Sequence, residues 1–248
     1  MTNPTAESTS RTLPTADGDL HFHEAGAGPP LVLLHGSGPG VSAWANFGDN
    51  LPTFATRFRV LALDLPGFGR SSEPADNPAL HGPAAVLAFL DGLGLEQVAI
   101  IGNSLGGGIA ARVAANHPDR VTRLVTLGGV GVPLFSTLPS EGITRLVDFV
   151  EDPTRQRLVE WMRSMVYDPA VLTDEFVEMR WRAASDPEAL AGIRRIYNRD
   201  MLAVLRQMML DNTAALALLR QIQAPTLVTW GRDDRVTPLD GFLAPMRL

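Results

Sequence analysis

The stretch that most constrains the fold of this chain is the apolar run Val98–Ile101, which leads directly into Gly102-Asn103-Ser104-Leu105-Gly106. A buried strand that enters a Gly-x-Ser-x-Gly turn and continues as a helix predicts a sharp bend with the serine hydroxyl projecting above the sheet edge. The flanking glycines are needed because a Cβ atom at either position would collide with neighbouring backbone. An ordinary glycine-rich turn is the alternative, but the strand before and the helix after favour a functional bend. Ser104 is therefore the candidate nucleophile.

The composition indicates a globular protein that handles a small molecule. The 248 residues are 45% hydrophobic and 19% charged, which suits one α/β domain with an insertion. A net charge of -6 without a basic run disfavours a nucleic-acid partner. The absence of cysteine excludes disulfides and thiolate metal sites. Residues 1–18 are too polar for a signal sequence, and no apolar run is long enough to span a bilayer. We expect a cytoplasmic protein with a small-molecule substrate and no membrane attachment.

Strand-like and helix-like segments alternate along most of the chain. After a leader that looks disordered, two short strands, Arg11–Thr15 and Leu20–Glu24, are joined by a turn. His21 and His23 lie on one face of the second strand, where we expect half-exposed residues rather than metal ligands. Apolar strands then recur between helices, at Pro30–Leu34, Phe58–Leu63, Val98–Gly102, Arg120–Leu127 and Pro225–Trp230. This order predicts an α/β fold with a mostly parallel, doubly wound sheet and a ligand crevice at the carboxyl ends of its strands.

A long helical insertion interrupts this alternation. From Pro133 to Leu219 the apolar residues follow helical spacing without a strand signal, which predicts a lid over the crevice. The predicted boundaries are therefore 1–132 and 220–248 for the two parts of the core and 133–219 for the lid. The Met and Trp residues of the lid are expected in its core and pocket lining rather than around a cofactor. Arg180 follows Phe176 by one helical turn among apolar residues, so it is either a solvated cation or a contact to a substrate anion.

Two glycine-rich loops follow the early strands. The first, His35-Gly36-Ser37-Gly38-Pro39-Gly40, is rigid enough to point backbone N–H groups inward, as an oxyanion site requires. In hydrolases with a nucleophile elbow, one oxyanion N–H comes from a loop in this position and the other from the residue after the serine, here Ser37 and Leu105. His35 is expected to fix the loop by hydrogen bonds rather than to act as a base. Asp64, which opens the second loop, is expected to have a structural role.

A further acidic pair follows the late strand Pro225–Trp230. In a Ser-His-Asp triad the acid orients the histidine and stabilises its charged form, and it belongs just past the end of a strand. Both Asp233 and Asp234 satisfy this requirement. One of the two is expected to be an ordinary loop residue.

With these motifs together, the chain resembles the α/β-hydrolase fold and, more narrowly, the meta-cleavage-product hydrolases, which cut a carbon–carbon bond in ring-opened products of aromatic and steroid catabolism. The resemblance covers nearly the whole chain. It rests on His35–Gly40 followed by Trp44, Asn46 and Phe47, on Gly102–Gly107, on Pro139–Gly142 with Arg145 and Leu146, and on Gly231–Arg235. The asparagine before the nucleophile distinguishes this group from general esterases. The segments Glu7–Arg11 and Met165–Asp168 look most like the steroid-pathway branch.

The resemblance implies a role for each motif residue. Ser104 would be the nucleophile or water activator, Asp234 rather than Asp233 the triad acid, and the N–H groups of Ser37 and Leu105 the oxyanion donors. The implied substrate contacts are Gly38, Asn46, Asn103 and Arg180. The implied chemistry uses neither a cofactor nor a metal. Two alternatives stay open: a carboxylesterase of the same fold and a non-catalytic ligand-binding protein. Assembly into a homo-oligomer also stays open.

The sequence departs from the family pattern after Asp234. The family places its catalytic histidine in a Gly-His-Trp motif beyond the acid, whereas the histidines of this chain all precede it, at positions 21, 23, 35, 81 and 117. We expect a truncated or incomplete copy that lacks the last strand and helix. On that basis hydrolysis should be reduced by orders of magnitude. The strand edge near Thr226–Trp230 should be unprotected and the solubility low.

Overall fold

A seven-stranded sheet organises the chain. The structure is a computed structural model that describes residues 4–131, 133–210 and 213–247. The strands are β1 (Ser10–Thr15), β2 (Gly18–Ala25), β3 (Pro30–Leu34), β4 (Arg59–Leu63), β5 (Val98–Asn103), β6 (Val121–Leu127) and β7 (Thr226–Thr229). Their spatial order is β1-β2-β4-β3-β5-β6-β7. The pairs β1–β2 and β2–β4 are antiparallel and the others are parallel. The predicted α/β fold with a mostly parallel, doubly wound sheet is confirmed.

Helices cover the central strands. The helices before β6 are α1 (Ala6–Thr9), α2 (Ala43–Phe47), α3 (Leu51–Phe54), α4 (Gly82–Gly92) and α5 (Leu105–Asn116). Phe89 and Leu90 of α4 and the Leu, Val and Ala residues of β3 and β4 are buried. This continuous burial explains why the central strands read as uninterrupted apolar runs in the sequence. At about 25 cal/mol per Å² of apolar surface, such burial is the main favourable contribution to folding.

The stretch between β6 and β7 is helical, as the spacing of apolar residues predicts. It contains α6 (Glu141–Glu151), α7 (Arg155–Arg163), α8 (Asp174–Ala184), α9 (Pro187–Ile196), α10 (Arg199–Leu210) and α11 (Thr213–Leu219). Helices α6 to α9 each begin after a Ser, Thr or Asp whose side chain accepts a backbone N–H of the first turn, at Ser140, Thr154, Thr173 and Asp186. Sequence-encoded caps therefore fix where these helices start.

The apolar residues that suggested these helices divide into core and surface. Those that are buried as predicted are Leu146, Phe149, Val150, Leu158, Trp161 and Met162. Met165 lies beyond the end of α7 at Arg163 and is 46% exposed, so it is not part of the core. The side chains of Leu205, Met208 and Met209, which also suggested a helix, lie outside the described residues.

The described residues form two compact units. The core unit comprises residues of 1–37, 41–129 and 218–229, and the helical unit comprises residues of 38–40, 130–217 and 230–248. Within the core unit, α5 packs against β5 and β6, and α4 packs against β1 and α5. Within the helical unit, α6 packs against α7 and α9, and α8 packs against α7 and α9.

Two expectations about the start of the chain are wrong. The segment before β1 contains helix α1 with a reciprocal capping box between Thr5 and Ser8, although a disordered leader was expected. His21 and His23 are only 2% and 5% exposed, although half-exposed residues were expected. The physical reason is that β2 is an interior strand, paired on both sides by β1 and β4, and that α1 packs against it.

The described part of the sheet ends at β7. This strand pairs with β6, and its Leu227 is 58% exposed. No helix in the described residues combines the length and the apolarity needed to cross a membrane.

Candidate active site

Ser104 stands at a strained turn between β5 and α5. Its backbone has φ 50° and ψ -113°, and it is the one non-glycine residue with positive φ in the described ranges. Such a conformation costs of the order of 1–3 kcal/mol and persists only where its surroundings enforce it. Here the Ser104 N–H donates to the carbonyl of Leu127 at 2.9 Å, and the Ser104 carbonyl accepts from Gly108 at 3.1 Å. The half-buried serine therefore sits in the nucleophile-elbow geometry that the sequence predicts.

Close backbone packing explains the glycines of the elbow. A Cβ atom on Gly102 would overlap the backbone of Gly106, and one on Gly106 would overlap the backbone at the end of β3. The expectation that side chains at these positions would collide is confirmed. The Gly106 N–H donates to the His35 carbonyl at 3.1 Å, which joins the first turn of α5 to the glycine-rich loop. Leu105 is the first residue of α5, so its N–H is among those that a helix leaves without an intrahelical acceptor.

Asn46 connects the glycine-rich loop to the residue before the nucleophile. Its Oδ1 accepts the backbone N–H of Gly36 and the Nδ2 group of Asn103, both at 3.0 Å. Because the Gly36 N–H can only donate, these bonds fix which end of the Asn46 amide faces the loop. The core unit thus brings Asn46, Asn103 and Ser104 together around Gly36, and Ser37 lies half-buried as the next residue of the loop.

His35 holds the glycine-rich loop in place and is fully buried. Its Nε2 accepts the N–H of Leu65 at 2.9 Å, so in the neutral ring Nδ1 carries the proton and donates to the Gly36 carbonyl at 2.6 Å. Burial lowers the pKa of His35, which keeps the ring neutral. Both ring nitrogens are therefore occupied by backbone, and the expected loop-fixing role is confirmed.

Asp64 organises the loop at the end of β4. Its carboxylate accepts from the His21 ring at 2.8 Å and from the N–H groups of Ala43 and Arg70 at 2.6 and 3.0 Å. Burial alone raises the pKa of Asp64, but hydrogen bonds from His21, Ala43 and Arg70 outweigh it and lower the pKa below its usual range. A buried, ionised carboxylate with these partners has the expected structural role.

The predicted substrate contact Arg180 is a partly buried cation of the helical unit. It lies on α8 and donates from its guanidinium to the carbonyl of Pro39 at 3.0 Å. Burial lowers the pKa of Arg180, and no carboxylate of the described residues lies within ion-pair distance of it. Close packing supports the contact with the loop, because a Cβ atom on Gly40 would overlap the backbone of Ala183. Gly38 is buried in the same short loop.

The two candidate acids after β7 differ in how they are held. Asp234 is half-buried and accepts the N–H groups of Val236 and Thr237 at 2.8 Å each and the Thr237 hydroxyl at 2.7 Å. Asp233 is 52% exposed and lies 3.6 Å from the Arg232 guanidinium. Only Asp234 is oriented by several hydrogen bonds, which agrees with its prediction as the acid. Its catalytic role stays a prediction.

Asp240 is an important side chain of the helical unit that the sequence interpretation missed. One of its carboxylate oxygens accepts the successive N–H groups of Leu134, Phe135 and Ser136 at 2.6–2.9 Å. Burial raises the pKa of Asp240, but these hydrogen bonds and one from the Ser136 hydroxyl outweigh it and lower the pKa to about 2. The Asp240-Gly241 pair is a turn signal, but the sequence does not reveal partners more than a hundred positions away.

Replacing Asp240 with asparagine should lower the free energy of unfolding by about 1 kcal/mol at pH 7, because charge-assisted hydrogen bonds become neutral ones. The folded-state pKa of about 2 lies below the ordinary value of 3.8, so this stabilisation is complete above pH 3.8 and disappears as the pH falls towards 2. Urea unfolding at several pH values checks both the size and the direction. Asp233→Asn is the matched control and should change little. A difference that grows on acidification would contradict this account.

None of the five histidines of the chain hydrogen-bonds to Ser104 in the described structure. His21 and His23 bind Asp64 and Thr9, and His35 binds backbone. His81 binds Asp76 at 2.5 Å. The last of the five, His117, is exposed at the carboxyl end of α5.

Comparison with known proteins agrees with this geometry. The sequence profile of a family described as "alpha/beta hydrolase fold" matches residues 29–178. A 2-hydroxy-6-oxo-6-phenylhexa-2,4-dienoate hydrolase of Comamonas testosteroni is 34% identical over 251 residues, which cover 97% of this chain and 85% of that protein. A 2-hydroxy-6-oxononadienedioate/2-hydroxy-6-oxononatrienedioate hydrolase of Cupriavidus pinatubonensis is 39% identical over 248 residues, covering 95% and 83%.

Solved structures give the same result. A 2-hydroxy-6-oxo-6-phenylhexa-2,4-dienoate hydrolase from Rhodococcus sp. strain RHA1 has a TM-score of 0.82 and 29% identity, over 96% of this chain and 86% of that one. A meta-cleavage product hydrolase from Pseudomonas fluorescens IP01 has a TM-score of 0.83 and 26% identity, covering 96% and 85%. The chain therefore belongs to the α/β-hydrolase fold family and, within it, to the meta-cleavage-product hydrolases.

Proposed function

We propose that this chain hydrolyses the carbon–carbon bond of a 2-hydroxy-6-oxo-hexa-2,4-dienoate, a ring-cleavage product of aromatic or steroid catabolism. The observation that carries the proposal is the partly buried guanidinium of Arg180, which donates to the carbonyl of Pro39. A charge taken out of water without a counter-ion is costly, whereas a charge-assisted pair with a ligand carboxylate compensates for that cost. The dienoate has such a carboxylate, and the names of the relatives agree with this substrate class.

Polar groups around the elbow suit the dienol part of the substrate. Asn46 uses its oxygen for Gly36 and Asn103, which leaves its Nδ2 group to donate to a substrate oxygen. The dienol must first shift to its keto form so that the electrons of the breaking carbon–carbon bond have a carbonyl to enter. The charge-shifted form would be stabilised by the implied substrate contacts, which are Arg180, Asn46, Asn103 and the backbone of Gly38.

Ser104 would then act at the second carbonyl. Attack by its hydroxyl, or by a water that it helps to activate, releases a carboxylic acid and a 2-hydroxydienoate. The N–H groups of Ser37 and Leu105 would stabilise the oxyanion, and Asp234 would orient a base. Since none of the five histidines binds Ser104, we expect proton transfer from Ser104 to limit the rate of this chain.

Loss of absorbance of a purified dienoate tests the role of Arg180. Arg180→Ala should lower kcat/KM by about a hundredfold, because a partly buried, charge-assisted contact to the carboxylate is lost. Arg180→Lys should retain only part of the kcat/KM of the parent chain, since an ammonium group does not form the bidentate contact of a guanidinium. The control is Arg182→Ala on the same helix, whose guanidinium is exposed and pairs with Glu178. Phenyl and steroid-type dienoates compared in this assay define the preferred substituent.

Unchanged dienoate turnover in Arg180→Ala would overturn this assignment and favour a carboxylesterase. The second candidate function is ligand binding without turnover, and it is favoured because none of the histidines in the described residues hydrogen-bonds to Ser104. Equilibrium binding of the dienoate to the same protein distinguishes the two outcomes. Binding that is lost in Arg180→Ala, with no bleaching in the parent chain, would identify a binding protein.

A further inference from the structure

A second serine, histidine and aspartate are linked in series in the core unit, away from the elbow. Ser10 Oγ lies 2.8 Å from Nε2 of His21, and Nδ1 of the same ring lies 2.8 Å from Oδ2 of Asp64. The three residues come from the first residue of β1, from β2, and from the residue directly after β4. Both imidazole nitrogens thus join a hydroxyl to a carboxylate, which is the bonding pattern of a catalytic triad.

The surrounding hydrogen bonds determine where the protons lie. Asp64 also accepts the backbone N–H groups of Ala43 and Arg70, which favour its ionised form. In a neutral His21 ring, the ionised carboxylate places the proton on Nδ1 and leaves Nε2 as an acceptor. The Ser10 hydroxyl then donates its hydrogen to Nε2. His21 is thereby oriented as a general base towards the serine oxygen.

The outer end of this series reaches the surface. His21 and Asp64 are 2% and 1% exposed, whereas Ser10 is half-buried. An exposed guanidinium, that of Arg70, lies 3.3 Å from Ser10 Oγ. The cation is placed to stabilise negative charge that develops on a group attacked by Ser10. The neighbouring His23 binds Thr9 through Nδ1, and burial lowers the pKa of His23.

We propose that Ser10, His21 and Asp64 form a Ser-His-Asp relay that makes Ser10 a reactive nucleophile towards small activated esters. In the reaction with a fluorophosphonate, Ser10 Oγ forms a bond to phosphorus and the phosphorus–fluorine bond breaks. Fluoride leaves, and the serine proton passes to Nε2 of His21. This site is independent of the dienoate chemistry proposed for Ser104.

Labelling the Ser104→Ala protein with a fluorophosphonate tests the proposal, since that variant removes the elbow hydroxyl. Digestion after arginine releases residues 1–11, and fragment masses distinguish Ser10 from Ser8 in that peptide. We expect one adduct, on Ser10. It should form when the folded protein is labelled and should not form when the protein is labelled unfolded in urea. A further Ser10→Ala change should abolish it, whereas Ser8→Ala should leave the rate unchanged.

Variants of the partners distinguish a relay from a structural hydrogen-bond network. His21→Gln should slow labelling about a hundredfold through loss of the general base. Arg70→Gln alters only an exposed side chain and should slow it severalfold, which keeps the test decisive if His21→Gln does not fold. The proposal is overturned if folded Ser104→Ala protein acquires no adduct on Ser10. Equal labelling of Ser8 and Ser10, or an unchanged rate in both Arg70→Gln and folded His21→Gln, would also overturn it.

Discussion

Imidazole added to the buffer should raise the rate of dienoate cleavage by this chain about tenfold. General-base catalysis raises the rate of enzymatic reactions by about 10²- to 10⁴-fold. A free imidazole should recover only part of this rate enhancement because it is not held in position. The described structure gives Ser104 the strained elbow conformation but no histidine partner. In a protein made of these 248 residues, a diffusible base should therefore accept the proton of Ser104. Bleaching of the dienoate at increasing imidazole concentration measures the effect.

Ser104→Ala is the control for this rescue. It should remove the response to imidazole entirely, because no hydroxyl is left to be activated. The response should also increase between about pH 6 and pH 8, following the neutral fraction of imidazole. A rescue that persists in Ser104→Ala would mean that imidazole attacks the substrate itself. Absence of any rescue, with dienoate still bound, would favour the binding-protein alternative.

Asp64→Ala should lower the free energy of unfolding by about 3–5 kcal/mol, the cost expected when one partner of a buried ionic network is removed. The N–H groups of Ala43 and Arg70 and the ring of His21 would lose their shared acceptor. Asp64→Asn keeps the shape of the side chain but directs an amide N–H group at N–H groups that donate to Asp64. It should therefore lower the free energy of unfolding by about 2–3 kcal/mol. Urea unfolding at pH 7 measures both variants.

The chain supplies a matched control in its other aspartate–histidine pair. Asp76 and His81 are 65% and 41% exposed, so solvent screens their interaction. Asp76→Asn should leave the free energy of unfolding nearly unchanged. Equal losses for Asp64→Asn and Asp76→Asn would show that the buried network contributes no more than a surface pair.

The sheet, the elbow and the loop role of His35 could be predicted because local patterns determine them. Apolar runs followed by glycine mark buried parallel strands, and caps such as Ser140 and Thr154 mark helix starts. The burial of His21 could not be predicted in this way. Its alternation with Leu20 and Phe22 is typical of a half-exposed strand, and its partner Asp64 lies 43 residues away. Only the folded sheet brings the two together.

The two acids after β7 also could not be distinguished from the local sequence. Asp233 and Asp234 are adjacent and chemically identical, so position alone does not separate them. The turn does, because it directs the backbone N–H groups of Val236 and Thr237 at Asp234 and leaves Asp233 beside the surface cation Arg232. The resemblance to the family selected Asp234 on other grounds. Arg180 was chosen as an anion contact, but its bond to the Pro39 carbonyl had no signal in the sequence.

The helical unit is assembled from three separated pieces of chain, and this restricts how such a unit can be exchanged between proteins. Residues 38–40 and 230–248 belong to it together with the long stretch from residue 130 to residue 217. Gly40 leaves no room for a side chain beside Ala183, and Asp240 binds the backbone of Leu134–Ser136. A chimaera that transplants only the contiguous helices would separate both pairs. A chimaera that keeps these contacts must therefore transfer all three pieces of chain together.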